Sequence, residues 1–392
     1  MRLPRSSTVV AALLSGVLVG GCGGPSTSPD PAPRAAAQLA AQLAARVAQV
    51  PAPGTVEGWD PRSPKSLGLR ARALQAGATK ARALDSTCFA VVRRDKLARD
   101  WNWRLDRTTP REVFSITKSV TSALVGIAVR DGDLRLGDRV STYVPQWRGT
   151  ASETVTLRNL LSNDSGRFWS MQSDYADLLG ARSRTRYAVG LPQQYAPGSA
   201  WAYNNAAIQV LEPVLESATG MRVKEFARTR LFEPLGMDHS IFITDRADNA
   251  AVFYGLQTTC LDLARFGSLY LDGGTVDGTR LLDRSYVERS VGRSSTAHNA
   301  AYGYLWWLNR AGPLRGATDD VDALGQPLRP TTGQLAPSAR EDVFAALGFG
   351  GQVLMIDPES RTMIISLGLP AQPGAESYGF RAAASVLTRA LR

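Results

Sequence analysis

Lysine is scarce in this chain: only five of its 45 basic residues are Lys, and the other forty are Arg. Histidine is scarcer, with His239 and His298 alone. Neither histidine has a Gly-x-Ser-x-Gly turn to serve, which leaves a Ser-His-Asp triad without a nucleophile. The arginines are dispersed, and no basic run is interleaved with aromatics, so the net charge of +10 does not point to nucleic acid. The sequence also lacks a Cys/His cluster, a phosphate-cradling glycine loop and an internal repeat; no metal and no cofactor is expected. No apolar run is long enough to span a bilayer as a settled helix.

The N-terminus is built for export. Met1-Arg2-Leu3-Pro4-Arg5 is positively charged, Val9 to Val19 is apolar, and Leu18-Val19-Gly20-Gly21-Cys22 places small residues directly before a cysteine. The arrangement resembles a bacterial lipobox, in which Cys22 is lipidated and becomes the mature N-terminus. On that reading residues 1–21 are a signal peptide and 22–55 a Pro/Ser/Gly/Ala-rich tether carrying one short helix over Ala35 to Val50. Residues 56–392 are then the main folded domain, on the outer face of the membrane. Cys88 and Cys260 remain, either as a disulfide or as two buried thiols.

Along the domain, Cys88–Arg94 and Ala98–Arg104 read as a hairpin around Asp95-Lys96. Ile116, Val120, Leu124 and Ile127 fall at helical spacing, and Asp131-Gly132 ends the run. Further helices are expected at 156–161, 205–219, 223–231, 262–271 and 382–391, and strands at 302–308, 343–347, 352–356 and 362–367. Strands from both chain ends around a helical middle imply a sheet with an inserted helical region. Asn309 to Glu341 is polar and Gly/Pro-rich, a disordered excursion or a substrate-facing loop.

One of the five lysines stands in Ser115-Ile116-Thr117-Lys118, on the same helical face as the serine. Unlike arginine, a lysine amine can release its proton when desolvated, and so can act as a base for a serine. Such a spacing arises by chance in roughly a third of chains, so context decides. Tyr203-Asn204-Asn205 follows Pro197-Gly198, offering a proton relay and an amide. Gly348-Phe349-Gly350-Gly351-Gln352 interrupts two apolar runs, where glycines allow a ligand close to the backbone.

In order and separation these three elements resemble the serine β-lactamase-like hydrolases: class C β-lactamases, D-alanyl carboxypeptidases, esterases and aminohexanoate-oligomer hydrolases. Leu157-Arg158-Asn159-Leu160-Leu161 before Ser165-Gly166, Glu233-Pro234-Leu235-Gly236-Met237 and Asp262-Leu263-Ala264-Arg265-Phe266-Gly267 also resemble family segments. The resemblance implies an α/β (α+β) fold of the β-lactamase/transpeptidase type. It further implies a nucleophilic Ser115, a base Lys118 and a relay through Tyr203. Asn205 would hold the network or the substrate, and the N–H groups of Ser115 and Gln352, beside Gly351, would bind the oxyanion.

The third family motif begins with Lys or His followed by a hydroxyl residue, which grip a substrate carboxylate. Phe349-Gly350 can do neither, so the substrate expected is a small ester or amide rather than a β-lactam. Ser173-Asp174-Tyr175 is similar to a segment of aminohexanoate hydrolases that contacts the scissile amide, making Tyr175 a substrate candidate. Trp306-Trp307 reads as cleft lining or core.

Overall fold

The computed structural model describes residues 56–318, 329–369 and 376–391. Cys22, the signal segment and the helix expected at 35–50 lie outside the described residues. No helix among the described residues is long and apolar enough to cross a membrane.

Six antiparallel strands form the main sheet: β1 Ser86–Arg93, β2 Lys96–Asn102, β3 Trp307–Leu308, β4 Phe344–Gly348, β5 Gln352–Asp357 and β6 Thr362–Gly368. Their order is β2-β1-β6-β5-β4-β3, so the last strand lies beside the first and both chain ends share one sheet. The strands are apolar almost throughout because both faces are covered. Alternation along β1 sends Phe89 and Val91 to one face and Cys88, Ala90 and Val92 to the other.

The first face packs against α1 (Ala71–Ala83) and the C-terminal helix Phe380–Leu391. The 71–83 helix has no counterpart in the sequence reading, since ARALQAGATKARA offers small residues rather than a strong apolar stripe. The second face receives α2 (Ile116–Asp131), whose residues 116–128 are all buried. A helix enclosed on every side needs its polar groups satisfied. Ser119 Oγ donates to Leu305 O and Thr121 Oγ1 to Val252 O, each at 2.7 Å.

The middle helices depart from expectation in detail. The segment 205–219 is two helices, Asn205–Gln209 and Leu211–Thr219, and the helix begun at Val223 passes into a π turn at Arg228–Phe232. Of the strand expected at 302–308 only the last two residues pair with β4; Leu305 takes a left-handed φ of 59° and turns the preceding chain away. Within the 309–341 stretch, Gly312–Leu314 pairs antiparallel with Thr331–Gly333. The fully buried Asn309 amide anchors it, donating to the carbonyls of Ala336 and Arg340.

Cys88 of β1 and Cys260, the first residue of the helix Cys260–Leu271, are joined by a disulfide spanning 172 residues. The bond fastens the sheet to the inserted region near the three-residue strand Leu256–Thr258. That strand pairs with Arg111–Glu112 and Ile241–Phe242, and so fixes the chain just before Ser115.

Candidate active site

Ser115 is the residue immediately before α2, delivered by a sharp change of backbone direction. Val113 N donates to Leu256 O at 3.1 Å, holding the chain in an extended pairing, and Phe114 then takes a left-handed φ of 47°. That conformation is costly for an aromatic residue and is held only by its surroundings. One brace is Thr117, whose hydroxyl donates to Phe114 O at 2.5 Å and accepts from Leu256 N at 3.0 Å.

One helical turn on, Lys118 Nζ donates to Ser115 Oγ at 2.8 Å and to Phe253 O at 2.8 Å. The amine lies 4.7 Å from the Tyr203 ring centroid and 5.6 Å from that of Phe253. Lys118 is only 1% exposed. Burial lowers its pKa to about 7, against the nearby charge of Asp174, which favours the protonated amine. At neutral pH a large fraction is therefore a free amine within reach of a serine hydroxyl.

Tyr203 closes the other side. It is buried, stacks on Trp307 with centroids 5.5 Å apart, and meets Tyr302 edge-on at 6.1 Å. Burial holds its phenol well above the usual value, while a hydrogen bond with Ser115 opposes the shift. The phenol therefore stays protonated and can donate. Asn204 caps the following helix, accepting from Ala207 N at 2.7 Å and donating to Phe168 O at 3.0 Å. Asn205 is buried and its Oδ1 has no hydrogen-bond partner.

Asp174 is the residue the sequence reading passed over in favour of its neighbour. It sits in the π turn Ser173–Asp177 with 1% exposure. Its two carboxylate oxygens accept from Asn205 N and Ala206 N, each at 2.9 Å. Burial pushes its pKa up to about 6, against these two donors, the Lys118 charge and a hydrogen bond from Trp169. No spacing rule links Asp174 to residues thirty positions away. The tertiary fold alone reveals the contact.

The glycine-rich stretch needs a correction. Gly351 and Gln352 do not line the site. Gln352 opens β5 opposite Gly348 and is fully buried. Its side chain donates to Phe349 O at 3.2 Å and Gly368 O at 3.0 Å and accepts from Gly368 N at 2.9 Å. Gly351 turns the chain with φ 86° beside the Tyr378 backbone. The residue that meets the turn before Ser115 is Gly348: a Cβ there would stand 2.3 Å from Val113 O. β3 covers β4 only at Phe344 and Ala345, so the edge from Ala346 onward is open. Phe349 follows, 60% exposed, with its ring edge-on to Phe114 at 5.8 Å.

Tyr175 lies in the same π turn as Asp174; its hydroxyl donates to Ala317 O at 3.3 Å, which ties the 309–318 segment to that turn. The two tryptophans divide: Trp306 is fully buried between Phe266, Tyr270 and Phe344, whereas Trp307 backs Tyr203. His239 faces Asp262, and His298 Nε2 bonds Gly198 O at 3.0 Å, so the histidines are engaged elsewhere. Among the described residues no group of three or more His, Cys, Asp or Glu could hold a metal.

The Beta-lactamase family model matches residues 71–381. A 6-aminohexanoate-dimer hydrolase of Paenarthrobacter ureafaciens is 26% identical over 307 residues, 69% of this chain and 76% of that protein. A β-lactamase of Escherichia coli K12 is 21% identical over 282 residues, 65% and 74% of the two chains. Among solved structures, EstCE1, described as a hydrolase with promiscuous acyltransferase activity, superposes with a TM-score of 0.61 at 16% identity, covering 83% of this chain and 99% of that one. With its family model spanning most of its length, the chain belongs to the β-lactamase family of serine hydrolases.

Proposed function

We propose that this protein hydrolyses a small ester or linear amide through an acyl-enzyme on Ser115. One observation carries the reading: a buried Lys118 amine, its pKa lowered to about 7 by burial, lies 2.8 Å from the Ser115 hydroxyl. Lys118 takes the hydroxyl proton as Ser115 Oγ adds to the substrate carbonyl. The resulting oxyanion is received by the Ser115 N–H at the start of α2, where the helix dipole favours negative charge, and by backbone N–H from the open edge around Gly348 and Phe349. Tyr203 gives its proton to the leaving alcohol or amine and recovers one from the Lys118 ammonium. Water then retraces the same steps to release the acid. Asn205 and Tyr175 are the side chains this reading assigns to holding the substrate.

Phe349 argues for an uncharged, apolar substituent, because an exposed ring stands beside the nucleophile turn in place of a carboxylate-binding cation. The Paenarthrobacter relative, named for hydrolysis of an amide dimer, is consistent with a linear substrate. The Leu18–Cys22 run supports a lipid anchor that places the enzyme on the outer face of the cell membrane. Loss of membrane partitioning in Cys22→Ala is the expected result, and an unchanged distribution refutes the anchor.

A fluorophosphonate probe tests the central claim. Labelling is expected in the wild type and absent in Ser115→Ala; an unlabelled wild type, or label retained in the variant, overturns it. The rival penicillin-recognising activity is separated by comparing a p-nitrophenyl ester with a chromogenic cephalosporin. Cephalosporin turnover at kcat/KM of about 10⁵ M⁻¹s⁻¹, within the usual enzyme range, would remove the ester reading.

A further inference from the structure

We propose that Asp174 is a positioning residue of this site, its carboxylate locking the Tyr203–Asn205 loop in place and supplying the negative charge that acts on the Lys118 amine. The inference rests on the reading of Ser115 and Lys118 as nucleophile and base, and extends it to a residue that contacts neither the reacting atoms nor the substrate.

The helix after Tyr203 begins with three N–H groups that lack helical partners. Asn204 satisfies the third, at Ala207. Asp174 takes the first two, one on each oxygen. Those two donors belong to the residues directly after Tyr203-Asn204, so the clamp fixes where the phenol stands relative to Ser115. Simple capping does not require a charge, and a neutral Ser or Asn would spare the cost of burying one. The carboxylate is 1% exposed, and its charge acts on the buried Lys118 amine.

The groups around the pair can be named from each element. Lys118 meets Ser115 Oγ on its own helix, the Phe253 carbonyl and ring from the 253 loop, and the Tyr203 ring from the 203 loop. Asp174 is the charge from the π turn that acts on it. Asp174 in turn meets the Asn205 and Ala206 N–H groups, Trp169 and the Lys118 charge, and its field also reaches Tyr187 and Tyr203. Burial alone drives the lysine toward a weak base, and the carboxylate opposes that drift. Its charge also disfavours ionisation of Tyr203, keeping the phenol a proton donor.

The test is the pH profile of kcat/KM on a p-nitrophenyl ester, with the rate of fluorophosphonate labelling measured beside it. Asp174→Asn keeps one acceptor and removes the charge. The acid limb, set by deprotonation of Lys118, is expected to move down by about one pH unit, with the plateau reduced tenfold or more. Asp174→Glu, which keeps the charge, is expected to return the limb to the wild-type pH even if the plateau stays low. A residue that only stabilises the loop would lower the plateau and leave both limbs in place; that result overturns the proposal. If Asp174→Asn fails to fold by circular dichroism, Asp174→Ser carries the same expectation. A wild type that is not labelled at all defeats the Ser115 reading first, and the role of Asp174 falls with it. A labelled wild type with an unmoved limb in the variant defeats Asp174 alone.

Discussion

Alanine at Gly348 should silence the enzyme while leaving it folded. The added methyl would stand 2.3 Å from Val113 O, about 0.7 Å closer than real Cβ contacts reach, and Gln352 Cβ is only 2.9 Å away on the other side. Neither obstacle is the free end of a long side chain, so the strain must be relieved by moving β4 or the turn that carries Phe114 and Ser115. A displacement approaching 1 Å at a reacting group costs about 10²-fold in rate, which is about 2.7 kcal/mol of activation energy. Gly351→Ala is the matched control. It forces alanine into φ 86° against the Tyr378 backbone at 2.9 Å, costing about 1–2 kcal/mol of stability, but it lies in the turn beyond the site. The assay pairs kcat/KM on a p-nitrophenyl ester with thermal melting. Gly348→Ala is expected to lose activity out of proportion to its melting shift, and Gly351→Ala to lose melting temperature while keeping kcat/KM. Gly348→Ala within threefold of wild type, or Gly351→Ala the more damaging to kcat/KM, would refute the placement of the strand edge.

Activity should rise with pH through about 7, because Lys118 must be neutral to accept a proton and burial lowers its pKa to that value; a flat profile from pH 5 to 9 would exclude it as the base. Phe349→Ala should weaken selectivity for longer over shorter acyl esters by about 1–2 kcal/mol, as expected for loss of a partly exposed aromatic contact, and kcat/KM ratios for acetyl and hexanoyl esters measure this. Reducing the Cys88–Cys260 disulfide releases a loop of 172 residues, whose closure entropy is worth about 5 kcal/mol. Melting with and without reductant, beside a Cys88→Ala/Cys260→Ala variant, separates that term from packing, and identical melting curves would show that the bond contributes nothing.

The sheet was legible wherever burial on both faces produced continuous apolar runs, as at Gln352–Asp357 and Thr362–Gly368. The α2 helix was legible through its spacing, and Ser115 with Lys118 came with it because i and i+3 on a helix are neighbours by geometry. The Gly348 approach was not, since Gly348, Gly350 and Gly351 look alike in sequence and only register distinguishes strand edge from turn. Asp174 was hidden for a related reason: its partners are backbone N–H groups, which leave no mark on residue type. The 71–83 helix was missed because small residues pack closely without declaring an amphipathic stripe.

The β2-β1-β6-β5-β4-β3 strand order sets the sequence of events by which the site comes into being. Ser115 and Lys118 are synthesised early, yet the edge that faces them is held in place by β5, β6 and the β6–β1 pairing, among the last segments to be made. Such non-local contacts form slowly and late. On the proposed mechanism, a nascent or C-terminally shortened chain would carry its lysine, serine and tyrosine without the strand edge that faces them, and activity would wait until the first strand meets the last.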